Sequence, residues 1–316
     1  MPDVFLTIDT ELRWRHHAAG LPRDAIVARS IEPAGVGVTW QLERLAHFGL
    51  KACFFVDPMP ATIYGNDAIA PVVERILRAG QEVQLHLHAN WARARAGDRG
   101  AAHGRFELID HDAAAQGALI DQATDLLMAA GAPRPVAFRA GSYGADDATL
   151  DALAERGFTI DSSHNGAHAP WPSRIALPPG QIAPCRHRGV IEVPVTVIHD
   201  TSRRWRNVQI CALSTAEMRA ALRHAVRHDH AAVTIVSHSF ECANRAGTAP
   251  NRIHVRRFEA LCEMLAANGG DLPTCHFATA PALRLEQADR PLPPAPWRRR
   301  RRQLEQAWST LVAERG

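Results

Sequence analysis

Short apolar runs alternate with longer amphipathic segments along most of the chain. The runs are rich in Val, Ile, Leu and Phe and lack the polar alternation of a half-exposed strand, which is typical of parallel strands buried on both faces. We therefore predict strands at Val4–Ile8, Ala52–Val56, Glu82–Leu87, Val136–Phe138, Phe158–Ile160, Val190–Val193, Ala232–Ser237 and Cys275–Thr279.

Helical periodicity fills the segments between these strands. Ser214 is followed three residues later by Glu217, a capping-box pattern that predicts the start of a helix. Gly49 and Gly131 follow predicted helix ends, where a residue with positive φ is favoured. Such βα units in series predict an α/β fold. We expect a distorted, closed or nearly closed (β/α)7-8 barrel, with an open doubly wound sheet as the alternative.

Ionisable side chains stand where the predicted strands end. Because the carboxyl ends of parallel strands meet at one edge of a sheet or barrel, we expect these side chains to lie close together and to form the functional site. They are Asp9, Glu11, His86, His88, Arg139, Asp161 and His238.

The first two groups suggest a metal site. His86 and His88 lie two residues apart on a strand, so both can point to one side, and two neutral imidazoles suit a divalent ion such as Zn²⁺. Asp9 and Glu11 have the same spacing, and one carboxylate could bind the metal while the other takes a proton. The alternatives are a helix cap or acidic surface pair for the carboxylates, and satisfied core residues for the histidines.

The remaining strand ends suggest a base, its partner and an acid. A buried Arg139 needs a carboxylate partner, and Asp9 is the natural candidate, although a purely structural salt bridge fits the same pattern. A carboxylate beside an imidazole raises its basicity and fixes its tautomer. Asp161 and His238 are therefore predicted to form a general-acid pair, with a structural role as the alternative for each.

Composition adds few constraints. A net charge of +3 does not indicate a nucleic-acid partner, and six scattered cysteines without a Cys-x-x-Cys pair suggest buried reduced thiols. The sequence shows no signal peptide and no apolar run of membrane-spanning length, so we expect a cytoplasmic protein.

The chain is predicted to divide near its C-terminal end. We assign residues 1–289 to the barrel and residues 290–316 to a Pro-rich linker and basic tail. The arginine run Arg298–Arg302 precedes a short amphipathic segment, Leu304–Leu311. We interpret this tail as solvated or as a docking segment, with weak contact to an anionic surface as a further possibility.

At its strand ends the chain resembles the polysaccharide deacetylases, also called NodB-homology or carbohydrate esterase family 4 proteins. Leu6-Thr-Ile-Asp-Thr-Glu11 is similar to their first motif and His86 to the start of their second. Arg139-Ala-Gly-Ser-Tyr143, Asp161-Ser-Ser163 and Val236-Ser-His238 resemble the third, fourth and fifth motifs. The Gln-Leu-His-Leu-His stretch at residues 84–88 is most similar to the branch found in lipopolysaccharide and exopolysaccharide gene clusters.

Two positions depart from the family pattern. Thr10 stands where the family usually has a metal-binding aspartate, so the acidic ligand shifts to Glu11. The last histidine of the second motif falls on Asn90. Either His88 replaces it from the strand, which we favour, or Asn90 coordinates through its amide oxygen, or no tight site exists.

The resemblance implies a metal-dependent hydrolase that removes N-acetyl groups from a saccharide, in surface-polysaccharide biosynthesis. Glu11, His86 and His88 would hold a divalent metal, with Zn²⁺ as the best match. Asp9 would act as the base steered by Arg139, and His238 backed by Asp161 would act as the acid. The alternatives are an amidohydrolase acting on a small non-sugar amide and a non-catalytic glycan-binding barrel.

Overall fold

The computed structural model describes residues 1–98, 105–279 and 282–313. Strands and helices alternate through most of this length. The strands are β1 (Asp3–Thr10), β2 (Cys53–Val56), β3 (Glu82–Leu87), β4 (Ala137–Ala140), β5 (Ile160–Asp161), β6 (Cys185–His187), β7 (Val190–Glu192), β8 (Val197–Thr201), β9 (Arg204–Asn207) and β10 (Ala232–His238). The helices are α1 (Trp14–Ala18), α2 (Arg23–Ile31), α3 (Val38–Phe48), α4 (Ala61–Tyr64), α5 (Ala70–Arg78), α6 (Ala113–Ala129), α7 (Asp147–Glu155), α8 (Thr215–Arg227), α9 (Arg252–Ala267) and α10 (Pro296–Ala313).

Eight of these strands form one curled sheet in the order β10-β1-β2-β3-β4-β5-β7-β6. Every neighbouring pair is parallel except β6 and β7, which pair antiparallel. Strands β8 and β9 form a separate antiparallel hairpin. Among the described residues no strand pairing joins β10 to β6, so the barrel is open there. The predicted distorted (β/α) barrel is confirmed.

Alternate residues of the strands contribute to two different cores. On β1, Val4, Leu6 and Ile8 pack in the large cluster between sheet and helices. Phe5 belongs to a second cluster inside the barrel, where its ring stacks on Phe277 with centroids 4.4 Å apart. Because side chains alternate along a strand, Asp9 lies on the interior face with Phe5. The strand therefore directs its last carboxylate into the barrel.

The strand register places the ionisable residues beside one another. Asp9 on β1 is level with His238 on β10, and His86 on β3 is level with Arg139 on β4. Parallel pairing thus brings residues that are far apart in the sequence to one edge of the sheet.

One predicted strand is wrong. Residues 275–279 form bends and a turn, and pairing is limited to a single bridge between Thr274 and Val4. The preceding Pro273 has no N–H to donate to a ladder. The amides of Phe277 and Ala278 instead donate to the carboxylate of Glu82, both at 2.7 Å. The apolar run packs into the barrel interior and does not extend the sheet.

Two predicted helix signals are confirmed. Ser214 Oγ accepts from the Glu217 amide, and the Ser214 amide donates to Glu217 Oε2 at 2.9 Å, which is the predicted capping box at the start of α8. Gly49 ends α3 with a φ of 65°, which a residue without Cβ adopts most easily.

The predicted arginine run and amphipathic segment form a single helix, α10. Arg302 on this helix is buried and pairs with Asp200 and with Glu217. The division at residue 289 stays a prediction. Within the described part of the chain, no helix combines the length and apolarity needed to cross a bilayer.

Candidate active and metal site

Three potential metal ligands converge at the ends of β1 and β3. Glu11 Oε2 lies 3.4 Å from His86 Nε2 and contacts His88 Nε2 directly. One ligand atom from each residue lies within 4.8 Å of the others. The side chains of Glu11 and His88 are 13% and 15% exposed, so the group can be reached from solvent. Two imidazoles and a carboxylate are a donor set that suits Zn²⁺.

A backbone hydrogen bond orients His86 toward this group. His86 Nδ1 lies 2.8 Å from the carbonyl oxygen of Arg139. A carbonyl only accepts, so Nδ1 carries the proton and Nε2 presents its lone pair toward Glu11. Metal-binding histidines in proteins are usually held in this way through their second nitrogen. The residues present therefore fit a divalent metal.

Gly141 allows His88 to occupy its position. A Cβ built on Gly141 would lie 2.4 Å from His88 Nδ1, which is far inside van der Waals contact. Since the φ of Gly141 is outside the left-handed region, the requirement here is space and not backbone conformation. The Arg139-Ala-Gly segment thus supports both histidines, one through a carbonyl and one through a missing side chain.

The group is electrostatically coupled. Burial lowers the pKa of the His88 imidazole, but the neighbouring Glu11 carboxylate outweighs burial and raises this pKa to about 10. Burial alone would raise the pKa of Glu11, yet the two histidines hold it well below its usual range. Glu11 is therefore a carboxylate at neutral pH, as a metal ligand must be, whereas His88 is protonated and would lose this proton on binding a metal.

Asp9 and Arg139 form the predicted ion pair. Arg139 is completely buried, and its Nη1 donates to Asp9 Oδ1 and to Thr7 Oγ1, both at 2.7 Å. Its Nε and Nη2 donate to the carbonyl and hydroxyl oxygens of Ser162 at 3.1 and 3.0 Å, and the guanidinium lies 4.3 Å from the centre of the Phe55 ring. A buried charge held by this many partners has a fixed position.

His238 lies on the other side of Asp9. His238 Nε2 is 3.9 Å from Asp9 Oδ2, the oxygen that Arg139 Nη1 does not bind. On its other side, His238 Nδ1 is 3.8 Å from Glu241 Oε2 and 3.3 Å from Gln209 Nε2. Burial lowers the pKa of His238, but Glu241 and then Asp9 raise it to about 9. His238 therefore carries a proton at neutral pH.

The predicted pairing of Asp161 with His238 is wrong. Asp161 Oδ1 accepts from Ser163 Oγ at 2.7 Å, and Asp161 lies directly across the ladder from Glu192. Burial raises the pKa of both carboxyls, and in Glu192 the charge of Asp161 raises it further, so the pair retains a proton that a lone carboxylate would lose. Asp161 lies beside Glu192 because β7 is the neighbour of β5 in the sheet, whereas β10 lies at the far end of the sheet order.

Two residues near the site escaped the sequence interpretation. Glu241 is the carboxylate that supports His238, and its position three residues after His238 in His-Ser-Phe-Glu was the available signal. Asp57 directly follows β2 and is buried, and burial raises its pKa to about 6 although the nearby His88 and His86 lower it. Its Oδ2 has no hydrogen-bond partner among the described residues. The apolar run before Asp57 carried the same strand-end signal as Asp9.

The two positions that depart from the family pattern differ in their surroundings. Thr10 Oγ1 donates to the carbonyl oxygen of Ile8, 3.2 Å away, so its hydroxyl is used within its own strand. Asn90 is buried, and its amide makes no hydrogen bond to any described group. His88 supplies the third ligand atom to the group that Glu11 and His86 begin.

Comparison with known proteins identifies the fold. The sequence matches no family model and no curated protein. Among solved structures, a Mycobacterium smegmatis protein described as a polysaccharide deacetylase matches with a TM-score of 0.52 and 19% identity, over 89% of this chain and 94% of that one. A family 4 carbohydrate esterase from Streptomyces lividans, solved with acetate, covers 93% and 98% at 14% identity, with a TM-score of 0.47 too low to add to the argument.

The same barrel is also found in an enzyme with a different reaction. A 4-alpha-glucanotransferase from Thermococcus litoralis matches over 90% of this chain and 41% of its own length, with a TM-score of 0.53 and 8% identity. The fold therefore does not decide the chemistry, which has to be argued from the site. At the level of the fold, the chain has the architecture of the polysaccharide deacetylases, as its motifs predicted, while the biosynthetic branch stays a prediction.

Proposed function

We propose that the protein is a metal-dependent hydrolase that removes acetyl groups from an N-acetylated saccharide. The observation that carries the proposal is the grouping of Glu11, His86 and His88 within 4.8 Å, beside the buried Asp9–Arg139 ion pair. A metal site, a fixed carboxylate and a protonated histidine are the parts that metal-assisted amide hydrolysis uses.

Glu11, His86 and His88 would hold a divalent cation, with Zn²⁺ as the first candidate. Such a cation would supply Lewis-acid polarisation of an amide carbonyl and a more acidic water. The chain prepares the site for it by keeping Glu11 ionised and by directing the lone pair of His86 Nε2 inward.

Asp9 is suited to act as the base. Arg139 fixes Asp9 through Oδ1, which leaves Oδ2 directed toward His238 and available to take a proton from water. The buried guanidinium restricts the orientation of this carboxylate. Arg139 acts through Asp9 and is a positioning residue.

His238 is suited to act as the acid. Its raised pKa means that it holds a proton at neutral pH, which it can donate to the nitrogen that leaves as a free amine. Glu241 stabilises this protonated form and takes the supporting role that the sequence interpretation gave to Asp161. Asp161 then has no assigned step in the reaction.

The saccharide is the less directly supported part of the proposal. Trp91, in the long segment after β3, is buried among Trp14, His17 and Tyr64 and cannot stack on a sugar. Trp171, in the long segment after β5, is 57% exposed and can do so. Together with the resemblance, this favours a glycan over a small amide, and we place the substrate among intermediates of surface-polysaccharide synthesis.

Metal content and acetate release from N-acetylglucosamine oligomers, measured on the same preparations, test the proposal. We expect about one equivalent of metal in the wild type and loss of both metal and activity in His86→Ala, because one of three ligands is removed. His47→Ala, which changes an exposed histidine on α3, is the matched control and should retain both.

Each failure has a distinct meaning. A wild type that binds no metal after reconstitution at neutral pH would exclude the hydrolase and favour a glycan-binding barrel. A wild type that binds metal and cleaves small N-acetylated amides but not the oligomers would favour the amidohydrolase.

A further inference from the structure

The outward face of α10 carries a stripe of large apolar side chains. Trp297, Leu304 and Trp308 are 62%, 73% and 63% exposed. They are spaced by seven and four residues, so they lie along one side of the helix. Few large apolar side chains are this exposed in the described structure, and three of them occur together here.

The inward face of the same helix is firmly attached to the barrel. Arg302 is buried between Asp200 and Glu217, and Arg257 on α9 donates to Glu305 Oε2 at 3.0 Å. One turn further, Asn251 Nδ2 donates to Ser309 Oγ at 3.0 Å. These buried contacts fix the rotation of α10, so the apolar stripe cannot turn inward without breaking them.

Arginines surround the stripe on both α10 and α8. Arg298 lies over the Trp297 ring at 5.6 Å, and Arg300 and Arg301 are exposed. On α8, Arg219, Arg223 and Arg227 follow one another at four-residue spacing and line the same groove as Trp297, Arg298 and Arg301.

Few acidic groups offset these charges. Glu305 is held by Arg257 and Arg301, and Asp271 lines the groove on the far side of α8 with Arg219 and Arg227. The surface formed by α10 and α8 therefore combines exposed indole rings with a surrounding positive charge. This combination is typical of helices that lie in a membrane interface, with Trp at the headgroup level and arginines against anionic lipids.

We propose that the face formed by α10 and α8 binds the surface of an anionic lipid bilayer. The arginines meet the phosphate headgroups, and Trp297, Leu304 and Trp308 enter the boundary with the acyl chains. The helix lies on the membrane and does not cross it. A soluble acidic polymer would satisfy the arginines but would leave the apolar stripe in water, so the lipid surface is the better match.

Vesicle flotation of the full chain tests this inference. Wild-type protein should float with vesicles of phosphatidylcholine mixed with phosphatidylglycerol and should remain unbound with phosphatidylcholine alone. Two triple variants separate the contribution of the apolar stripe from that of the arginines. One is Trp297→Ser, Leu304→Ser, Trp308→Ser, and the other is Arg219→Gln, Arg223→Gln, Arg300→Gln. Each should lower the partition coefficient by about tenfold or more, since each charge and each apolar group contributes separately.

Matched controls lie on other parts of the surface. Trp171→Ser removes another exposed indole, and Arg78→Gln with Arg134→Gln removes exposed arginines beside the β3–β4 side of the sheet. Both controls should bind as the wild type does. Arg302 is left unchanged in every variant because it is buried, and circular dichroism with thermal unfolding verifies that the variants are folded.

Two results would overturn the inference. The first is a wild type that does not bind the anionic vesicles. The second is binding that requires the arginines but not the apolar stripe and is displaced by a soluble acidic polysaccharide, which would identify a polyanion site. Quenching of the tryptophan fluorescence by bromine-labelled acyl chains, lost when Trp297 and Trp308 are replaced, would support insertion. The outcome is independent of the hydrolase activity.

Discussion

Asp9 and Asp161 are two buried aspartates at the ends of parallel strands, and their neighbours give them opposite properties. Asp9 is bound by Arg139 and lies next to the protonated His238. Asp161 faces the carboxyl of Glu192 across the ladder, and the pKa of both is raised. One pocket pairs its carboxylate with a buried cation, while the other retains a proton.

This difference shows that the end of a strand locates a candidate residue but does not assign its chemistry. A buried carboxylate needs a cation or hydrogen-bond donors to offset the loss of water around its charge, and the cation beside Asp9 comes from a strand that is distant in the sequence. Asp9 has this cation as its direct partner. Asp161 has Ser163 and Glu192 as its nearest partners instead.

Exchanging each aspartate for asparagine tests the comparison most strongly. Asp9→Asn should lower kcat for acetate release by about 10²- to 10⁴-fold, the range that general acid–base catalysis contributes. Asp161→Asn should change kcat by less than about tenfold, because Asp161 contacts neither His238 nor the metal group. Metal content should stay at the wild-type level in both variants.

Since Asp9→Asn leaves the charge of Arg139 uncompensated, thermal unfolding of both variants has to accompany the kinetics. Equal losses of kcat in two folded variants would contradict the contrast between the pockets and return Asp161 to the catalytic set.

The group of potential metal ligands, Glu11, His86 and His88, depends on close packing, which can be disturbed without replacing a ligand. Gly141→Ala would place a methyl group against His88 Nδ1 and displace the ring. We expect metal affinity to fall by about 10- to 100-fold, as it does when the support of a ligand is lost. Competition with a chelator measures this.

The matched control is Gly270→Ala, whose added Cβ would meet no atom within 4 Å. Unchanged metal affinity in Gly141→Ala would show that His88 can move freely or does not bind metal.

Glu241 supplies the third test, because it supports the proton on His238. The pKa of His238 is raised to about 9, so the proton stays on until the pH rises through that value, and activity should fall above it. In Glu241→Gln the carboxylate that raises the pKa of His238 most is gone, so burial lowers this pKa. The alkaline limb of the kcat profile should move down by about one pH unit or more, so that activity at pH 9 is lower by roughly fivefold or more.

The same substitution should change the pH dependence of folding. The stability that His238 contributes is present below its ordinary pKa of 6.5 and is lost as the pH rises through about 9. An unchanged alkaline limb in Glu241→Gln would show that Glu241 does not stabilise the proton on His238.

The smallest expected effect concerns the carboxyl pair of Asp161 and Glu192, which retains a proton. Because the pKa of Glu192 is raised in the folded state, the folded protein binds the extra proton, and stability falls as the pH rises above the usual range of a carboxyl. Glu192→Gln keeps the shape and removes the titration. We expect a flatter profile, with a higher free energy of unfolding at pH 8 than in the wild type. Exposed Glu263→Gln should reproduce the wild-type slope in urea unfolding.

Much of the fold was predictable because buried parallel strands have a strong local signature. Val4–Ile8 and Ala232–Ser237 were recognised from apolar runs, and β1 and β10 cover them. Cys275–Thr279 was predicted as a strand in the same way, but Pro273 and the carboxylate of Glu82 direct its backbone elsewhere. That outcome depends on a contact across about 195 residues, which no local pattern contains.

The candidate site was predictable to a similar degree. The grouping of Glu11, His86 and His88 follows from residue spacing at the ends of β1 and β3, which only β2 separates in the sheet. The partner of His238 did not follow, since Glu241 lies after the strand in a turn and Asp161 lies on a strand several positions away. Residue types and strand order locate candidates, whereas the pairing between them requires the three-dimensional structure.

Residue 139 serves two neighbouring groups through different parts of its structure. Its guanidinium holds Asp9, and its carbonyl oxygen accepts a hydrogen bond from His86 Nδ1. Every amino acid has a carbonyl oxygen, so substitutions at position 139 can alter the base while the orientation of the metal ligand persists. The barrel could therefore lose its catalytic base and still bind metal, which makes metal binding alone an incomplete sign of a working enzyme.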